Sequence, residues 1–231
     1  VRGRARAPRD PVPPPPEFSA AERRLVARLH TPEAVQRFLN SLAYNTEPPP
    51  GRATLRSFRQ VVRLRTAHCL EAALAAAVVL EQHGFPPFVL SLESIDQLDH
   101  VVFVYRTNGR WGSVGRSRDP GLHGRRPVFA TLRGLALSYV EPFVDYTGRV
   151  TGYAAYDLRR LDGYDWRLAP HNVWKVEREL LDLPHRPIRS SDAVIDRLRA
   201  RYRAFRARFP DAKPTFYRHR HTWTDLPADF E

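Results

Sequence analysis

From His68 to Glu81 the chain reads HCLEAALAAAVVLE, and this stretch constrains the fold more than any other. Apolar residues fill almost every position after Glu71, so a helix here belongs inside the molecule rather than on its surface. Its small alanine side chains let neighbouring elements pack tightly along it. The helix closes at Gly84, with Pro86 and Pro87 directly behind. It is no membrane span, because the chain nowhere holds about 18 uninterrupted apolar residues. The periodicity then changes. FVLSL (88–92) and DHVVFVYR (99–106) read as strands, the second apolar almost throughout and therefore central in its sheet. TNGR (107–110) carries an Asn-Gly hairpin signal and leads to WGSVG (111–115).

Upstream lie two capped helical patterns. SAAERRLVARL has Ser19 as cap with Glu22 three residues on, the spacing of a capping box. TPEAVQRFLNSLAY has Thr31 as cap, Pro32 at the first helical position, and an apolar stripe of Val35, Phe38, Leu39 and Leu42. TLRSFRQVVRLR forms a shorter helix before the buried one. Downstream, TLRGLALSYV reads as a helix, RVTGYAAYDL as a strand, and NVWKVERELL and SDAVIDRLRARYRAFRARF as helices, the last capped by Ser191 or Asp192. Helices first and a mostly antiparallel sheet afterwards make an α+β domain. Its expected extent is 17–210. A basic proline-rich tail occupies 1–16, where too little apolar surface exists to offset ordering, and a C-terminal tail occupies 211–231.

The formal net charge is +12, yet Lys175 and Lys213 are the only lysines. The arginines are scattered rather than gathered in a stripe, and with the Ala and Pro content they have the look of a GC-rich genome's codon bias. Salt-sensitive adhesion to polyanions is therefore favoured over specific nucleic-acid recognition. A single cysteine makes no internal disulfide and no cysteine-clustered zinc site. The N-terminus shows no apolar signal-peptide core, so a reducing cytoplasm is the expected compartment.

Cys69 stands at the front edge of the buried helix. There the unpaired backbone N–H groups and the positive end of the helix dipole stabilise a thiolate, the reactive form. The same N–H groups can stabilise an oxyanion. A thiol nucleophile needs a base. His83 is excluded, lying about 20 Å away at the far end of the helix by the rise per residue. His68 is adjacent in sequence, but neighbours in a first helical turn point different ways, which makes it a poor partner. His100, opening the central strand, is the better one. His219 and His221 alternate in YRHRHTW without a carboxylate or cysteine nearby to complete a metal site.

The stretches SFRQVVRLRTAHCLEAALAA and DHVVFVYRTNGRW resemble the transglutaminase-like branch of the papain-like fold, over about residues 32–117. They match its approach helix, loop and cysteine helix, then its histidine strand, hairpin and tryptophan. LAYNTE, WGSVGRSRDPGLHGR, LALSYV and NVWKVE are similar to a bacterial group of transglutaminase-like proteins. The resemblance implies Cys69 as nucleophile and His100 as general base, with no cofactor or metal. It also places Gly115 where the family has an aspartate. Ser117, two residues on, is the expected replacement, with Asp119 the second candidate. The implied activity is cysteine-dependent acyl transfer on a peptide, amide or ester. Hydrolysis stands ahead of transglutaminase-type transfer to an amine. The rival is a catalytically silent module binding an acidic protein or nucleic acid. Around the turn SRDPGLHGRR, Arg116 just before it and Arg118, Arg125 and Arg126 within it could bind an anion at the site's rim, though a solvated loop is the simpler expectation.

Overall fold

The computed structural model describes residues 17–47, 52–97 and 99–230. The expected tail 1–16 lies outside the described residues. The chain opens with α1 (Ala20–Arg28), where Ser19 accepts from the Glu22 N–H and the Glu22 carboxylate accepts from the Ser19 N–H. Then comes α2 (Pro32–Asn40), capped by the Thr31 hydroxyl. The short β1 (Ala43–Tyr44), α3 (Phe58–Leu64) and β2 (Thr66–Ala67) lead into α4 (Cys69–Glu81). The sheet strands β3 (Phe88–Ser94), β4 (His100–Thr107), β5 (Arg110–Val114) and β6 (Arg125–Phe129) follow. Next are α5 (Leu132–Leu137), α6 (Val140–Phe143), β7 (Val150–Asp157), α7 (Trp174–Leu181), β8 (Arg186–Pro187) and α8 (Asp192–Arg208). Six strands form one antiparallel sheet in the order β6-β5-β4-β3-β7-β8, while β1 and β2 pair in parallel beside it.

The arrangement is a single α+β domain, consistent with a papain-like core. Every residue of α4 from Leu70 to Glu81 is buried. The helix lies across β4 and β3, and its alanines let α2 and α3 close over its other side. Strand β4 is apolar on both faces because both are covered. Val101, Phe103 and Tyr105 join the core around α4, whereas Val102 and Val104 join Leu135, Ala136, Tyr139 and Phe143 on the opposite face. The hairpin between β4 and β5 turns at Asn108 and Gly109, both at positive φ (49° and 73°), as its Asn-Gly pair predicts. Glu81 is tolerated inside because Arg167 clamps its carboxylate with two bonds, at 2.6 and 3.1 Å. No helix among the described residues is long and apolar enough to cross a membrane.

Three local expectations change. The second half of SRDPGLHGRR is no free loop: β6 begins there and pairs with β5, Ser113 opposite Arg125. The helix expected over 131–140 breaks at Ser138–Tyr139 into α5 and α6. Residues 211–230 are not a free tail. Tyr217 and Trp223 are buried there, and Trp223 bridges to Arg125 on the edge strand. Two large aromatic side chains supply the apolar burial that holds this segment down.

Candidate active site

The approach to the cysteine is set by two short devices. Helix α3 ends at Arg65 in the left-handed region (φ 56°), which turns the chain into β2. Pairing of Tyr44 with Ala67 then places Tyr44 beside the start of α4. His68 is the N-cap of α4 and Cys69 its first residue. Within the same turn, Glu71 is completely buried and acts as a hub. Its carboxylate accepts from the backbone N–H of Arg56 and His68, the Thr54 hydroxyl and the Asn45 amide, all at 2.9–3.0 Å. Arg56 adds charge at 3.8 Å. Replacing Glu71 with alanine removes the buried acceptor that these four donors share, so we expect a loss of about 3 kcal/mol of stability in urea unfolding.

Across from Cys69, β3 and β4 bring His100 to the first position of its strand, opposite Leu92, with the ring almost wholly buried. His100 Nε2 lies 2.7 Å from the Leu122 carbonyl oxygen. A carbonyl only accepts, so Nε2 carries the hydrogen and Nδ1 is left for the sulfur. The Cys69 thiol is half-buried and lines one cavity with the rings of His100 and His68. Burial pushes the thiol up. Hydrogen bonds and charge from the two imidazoles outweigh this and hold it well below the ordinary thiol range.

The participation of His68 corrects the expectation that it points away. As N-cap its backbone is extended (φ −88°, ψ −178°), so the helical rotation that separates neighbours does not apply to it. Its Nε2 donates to the Thr54 carbonyl at 2.9 Å, which again leaves Nδ1 for the sulfur. Burial pushes His68 down, but the Cys69 sulfur and the Glu71 carboxylate outweigh it and raise the ring to about 9. The available sequence signal was Glu71, three residues past a histidine and at the position from which a carboxylate reaches back to the cap.

The structure places Gly115 just after β5, where a Cβ would stand 2.8 Å from Val102 Cγ1. Any carboxylate at that position would have to displace the central strand's packing. Ser117 lines the same cavity as Cys69 and His100, and its hydroxyl accepts from the Asp119 N–H at 3.2 Å. Asp119 also lines it and pairs with Lys213 at 3.0 Å and Arg118 at 3.4 Å. The group the structure puts on the far side of the His100 ring is the main-chain carbonyl of Leu122.

That carbonyl is held in place from behind. Arg125, with no exposed surface, donates to the carbonyls of Gly121, His123 and Gly124 at 2.6–3.2 Å, and stacks over Tyr139 at 4.0 Å. Arg116 is buried too, donating to the Leu42 and Ser117 carbonyls. Neither guanidinium forms an anion-binding rim, because both are turned inward onto backbone. Of the four arginines, Arg118 lines the cavity with most of its side chain exposed, and Arg126 lies at the surface near Asp225. His123, also fully buried, donates from Nε2 to the Ser117 carbonyl at 2.9 Å, while Nδ1 has no hydrogen-bond partner. His219 and His221 sit ring against ring at 6.1 Å. Among the described residues no group of three His, Cys, Asp or Glu side chains could hold a metal ion.

A cavity of about 520 Å³ opens over this arrangement, with Cys69, His68, His100, Tyr44 and Trp174 on its wall. Burial and the charge on Cys69 push the Tyr44 hydroxyl up, so it remains a protonated donor. The assembly can present a thiolate, an imidazole able to move a proton, and two donors near a developing oxyanion: the Tyr44 hydroxyl and the Cys69 backbone N–H.

No family model matches the chain. It is 26% identical over 198 residues to tubulinyl-Tyr carboxypeptidase 1 of Mus musculus, a match that takes in 77% of this chain and 51% of that protein. The chain thus spans about half the length of the curated relative it matches. The likeness is distant, and what it supports is a coarse kinship with a peptide-cleaving protein.

Proposed function

We propose that the protein is a thiol hydrolase that cleaves peptide or amide bonds, with Cys69 as nucleophile and His100 as proton carrier. The observation that supports this most is the Cys69 thiol, held low by two imidazoles at the wall of a cavity large enough for a peptide end. The thiolate attacks the scissile carbonyl carbon and forms a C–S bond. The carbonyl oxygen becomes an oxyanion facing the Cys69 N–H and the Tyr44 hydroxyl. The C–N bond then breaks and His100 gives its Nδ1 proton to the departing amine. A water, deprotonated by the same nitrogen, attacks the thioester, the C–S bond breaks, and the acid leaves with Cys69 again a thiolate and His100 again protonated. The Leu122 carbonyl keeps the ring in the tautomer these steps require. Ser117 serves as a positioning residue, its hydroxyl bending the chain at 117–119 ahead of that carbonyl. Likeness to a carboxypeptidase favours hydrolysis over transfer to an amine, and favours cleavage at a C-terminus.

The test has two arms. Iodoacetamide should alkylate Cys69 rapidly at pH 6, far below the ordinary thiol pKa of about 8.5. A peptide and amide library with free and amidated C-termini should then show hydrolysis that Cys69→Ala abolishes. Ordinary alkylation kinetics, together with no Cys69-dependent cleavage of any library member, would sink the proposal.

A further inference from the structure

Cys69 is served by two imidazoles held in the same way: each Nε2 donates to a main-chain carbonyl, Thr54 for His68 and Leu122 for His100, and both rings share the cavity wall with the sulfur. Their surroundings differ. His68 Nε2 lies 3.6 Å from the Glu71 carboxylate and 3.9 Å from that of Glu47. For His100 the structure shows the Leu122 carbonyl beyond Nε2 and the Tyr139 ring alongside. We propose that the two rings divide the labour: His68 is the resident cation that keeps Cys69 a thiolate, and His100 is the ring free to exchange protons with substrate and water.

The division follows from where one proton rests. Ionising the thiol moves its proton from sulfur to an Nδ1, and only one ring receives it. The ring facing two carboxylates is the more stable place for the resulting charge. The groups facing it from each neighbouring segment are Glu71 on α4, Glu47 three residues past β1, and Cys69 itself. Those facing the sulfur are His68, His100 and, from β1, Tyr44. Arg56 stands behind Glu71 at 3.8 Å and offsets part of its charge without reaching the ring. The raised basicity of His68 accords with this placement. A thiolate maintained in this way does not require His100 to stay protonated. His100 becomes cationic when it deprotonates water, and that same proton is the one it gives to the next departing amine, so the His68 proton is never consumed.

This inference rests on Cys69 being the nucleophile, but its readout is the thiol itself. Alkylation of the full chain by iodoacetamide would be followed by mass spectrometry across pH 5–9. In His68→Gln, which keeps a donor for the Thr54 carbonyl and removes the charge, the inflection should rise by about one pH unit, slowing alkylation at pH 6 by about tenfold. An unchanged inflection in a folded His68→Gln protein would overturn the division of labour. An NMR titration covers the case in which that variant does not fold. In the wild type the His68 ring should remain protonated at pH 7.5, and in Cys69→Ala it should lose its proton at a pH lower by at least about one unit. A His68 ring neutral at pH 7.5 in the wild type would overturn the inference as well. Failure of the peptide library alone, with these shifts present, would count against hydrolysis and leave the two-ring thiolate intact.

Discussion

Replacing His100 with alanine should cut peptide hydrolysis by about 10³-fold while leaving part of the low-pH thiol reactivity in place. The two readouts separate because the residue does two things. Its Nδ1 carries the proton to the leaving amine and takes one from water, and nothing else described at the cavity wall is placed to do both. His68 is anchored between the Thr54 carbonyl and two carboxylates, so it cannot give up its proton readily. Thiolate stabilisation, by contrast, is shared between the rings. Alkylation at pH 6 should therefore fall in His100→Ala by less than the roughly tenfold expected for His68→Gln, and reach the rate of an ordinary thiol only when both rings are replaced. Ser117→Ala gives the companion measurement. Because a main-chain carbonyl orients the ring, this variant should lose less than about tenfold in hydrolysis. A His100→Ala protein that hydrolysed peptides at the wild-type rate would remove the general base from the mechanism.

Acid should unfold the protein through a residue outside the chemistry. His123 is fully buried behind the site, and burial first, then the charge of Arg116, lowers its ring to about 3. In the unfolded chain the same ring protonates near its ordinary value of about 6.5. Between pH 6.5 and 3 the unfolded state binds a proton that the folded state refuses, so stability falls as pH falls. The slope is about 1.4 kcal/mol per pH unit, on the order of 5 kcal/mol across the window, a large part of a domain's usual stability. Urea unfolding of His123→Gln should show a flatter decline over this range, and parallel curves would refute the assignment. The Leu122 carbonyl is the residue next to His123, so acid unfolding and loss of ring orientation should coincide. On the alkaline side the sign reverses. His68, raised to about 9, contributes stability that is full below about pH 6.5 and is lost as pH climbs through 9.

Local patterns made much of the scaffold legible. The Ser19–Glu22 and Thr31 caps, the buried helix, the apolar central strand and the Asn-Gly hairpin each express chemistry carried within a few residues of sequence. Cys69 and His100, read from a helix start, a strand start and the family resemblance, line one cavity. The edge strand β6 was not, because its residues alternate weakly and its partner supplies the reason to pair. The inward arginines were misread for a related cause. A guanidinium in a Gly-rich loop looks solvated until the carbonyls of that loop and of Ser138 converge on it, as they do on Arg125.

The amino-acid sequence by itself determined an α+β domain built around one apolar helix, with a thiol at that helix's electropositive end. Periodicity and capping are short-range properties, and they survive without knowledge of what folds against them. Only the tertiary structure decided that His68 turns back onto the sulfur, that a carbonyl rather than an aspartate orients His100, and that Gly115 has no room for a side chain. The last two depend on atoms brought together from separate segments, Leu122 onto His100 and Val102 against Gly115, where hydrogen-bond geometry and excluded volume act; the first depends on the extended cap backbone and on the Thr54 carbonyl that takes the other side of the ring.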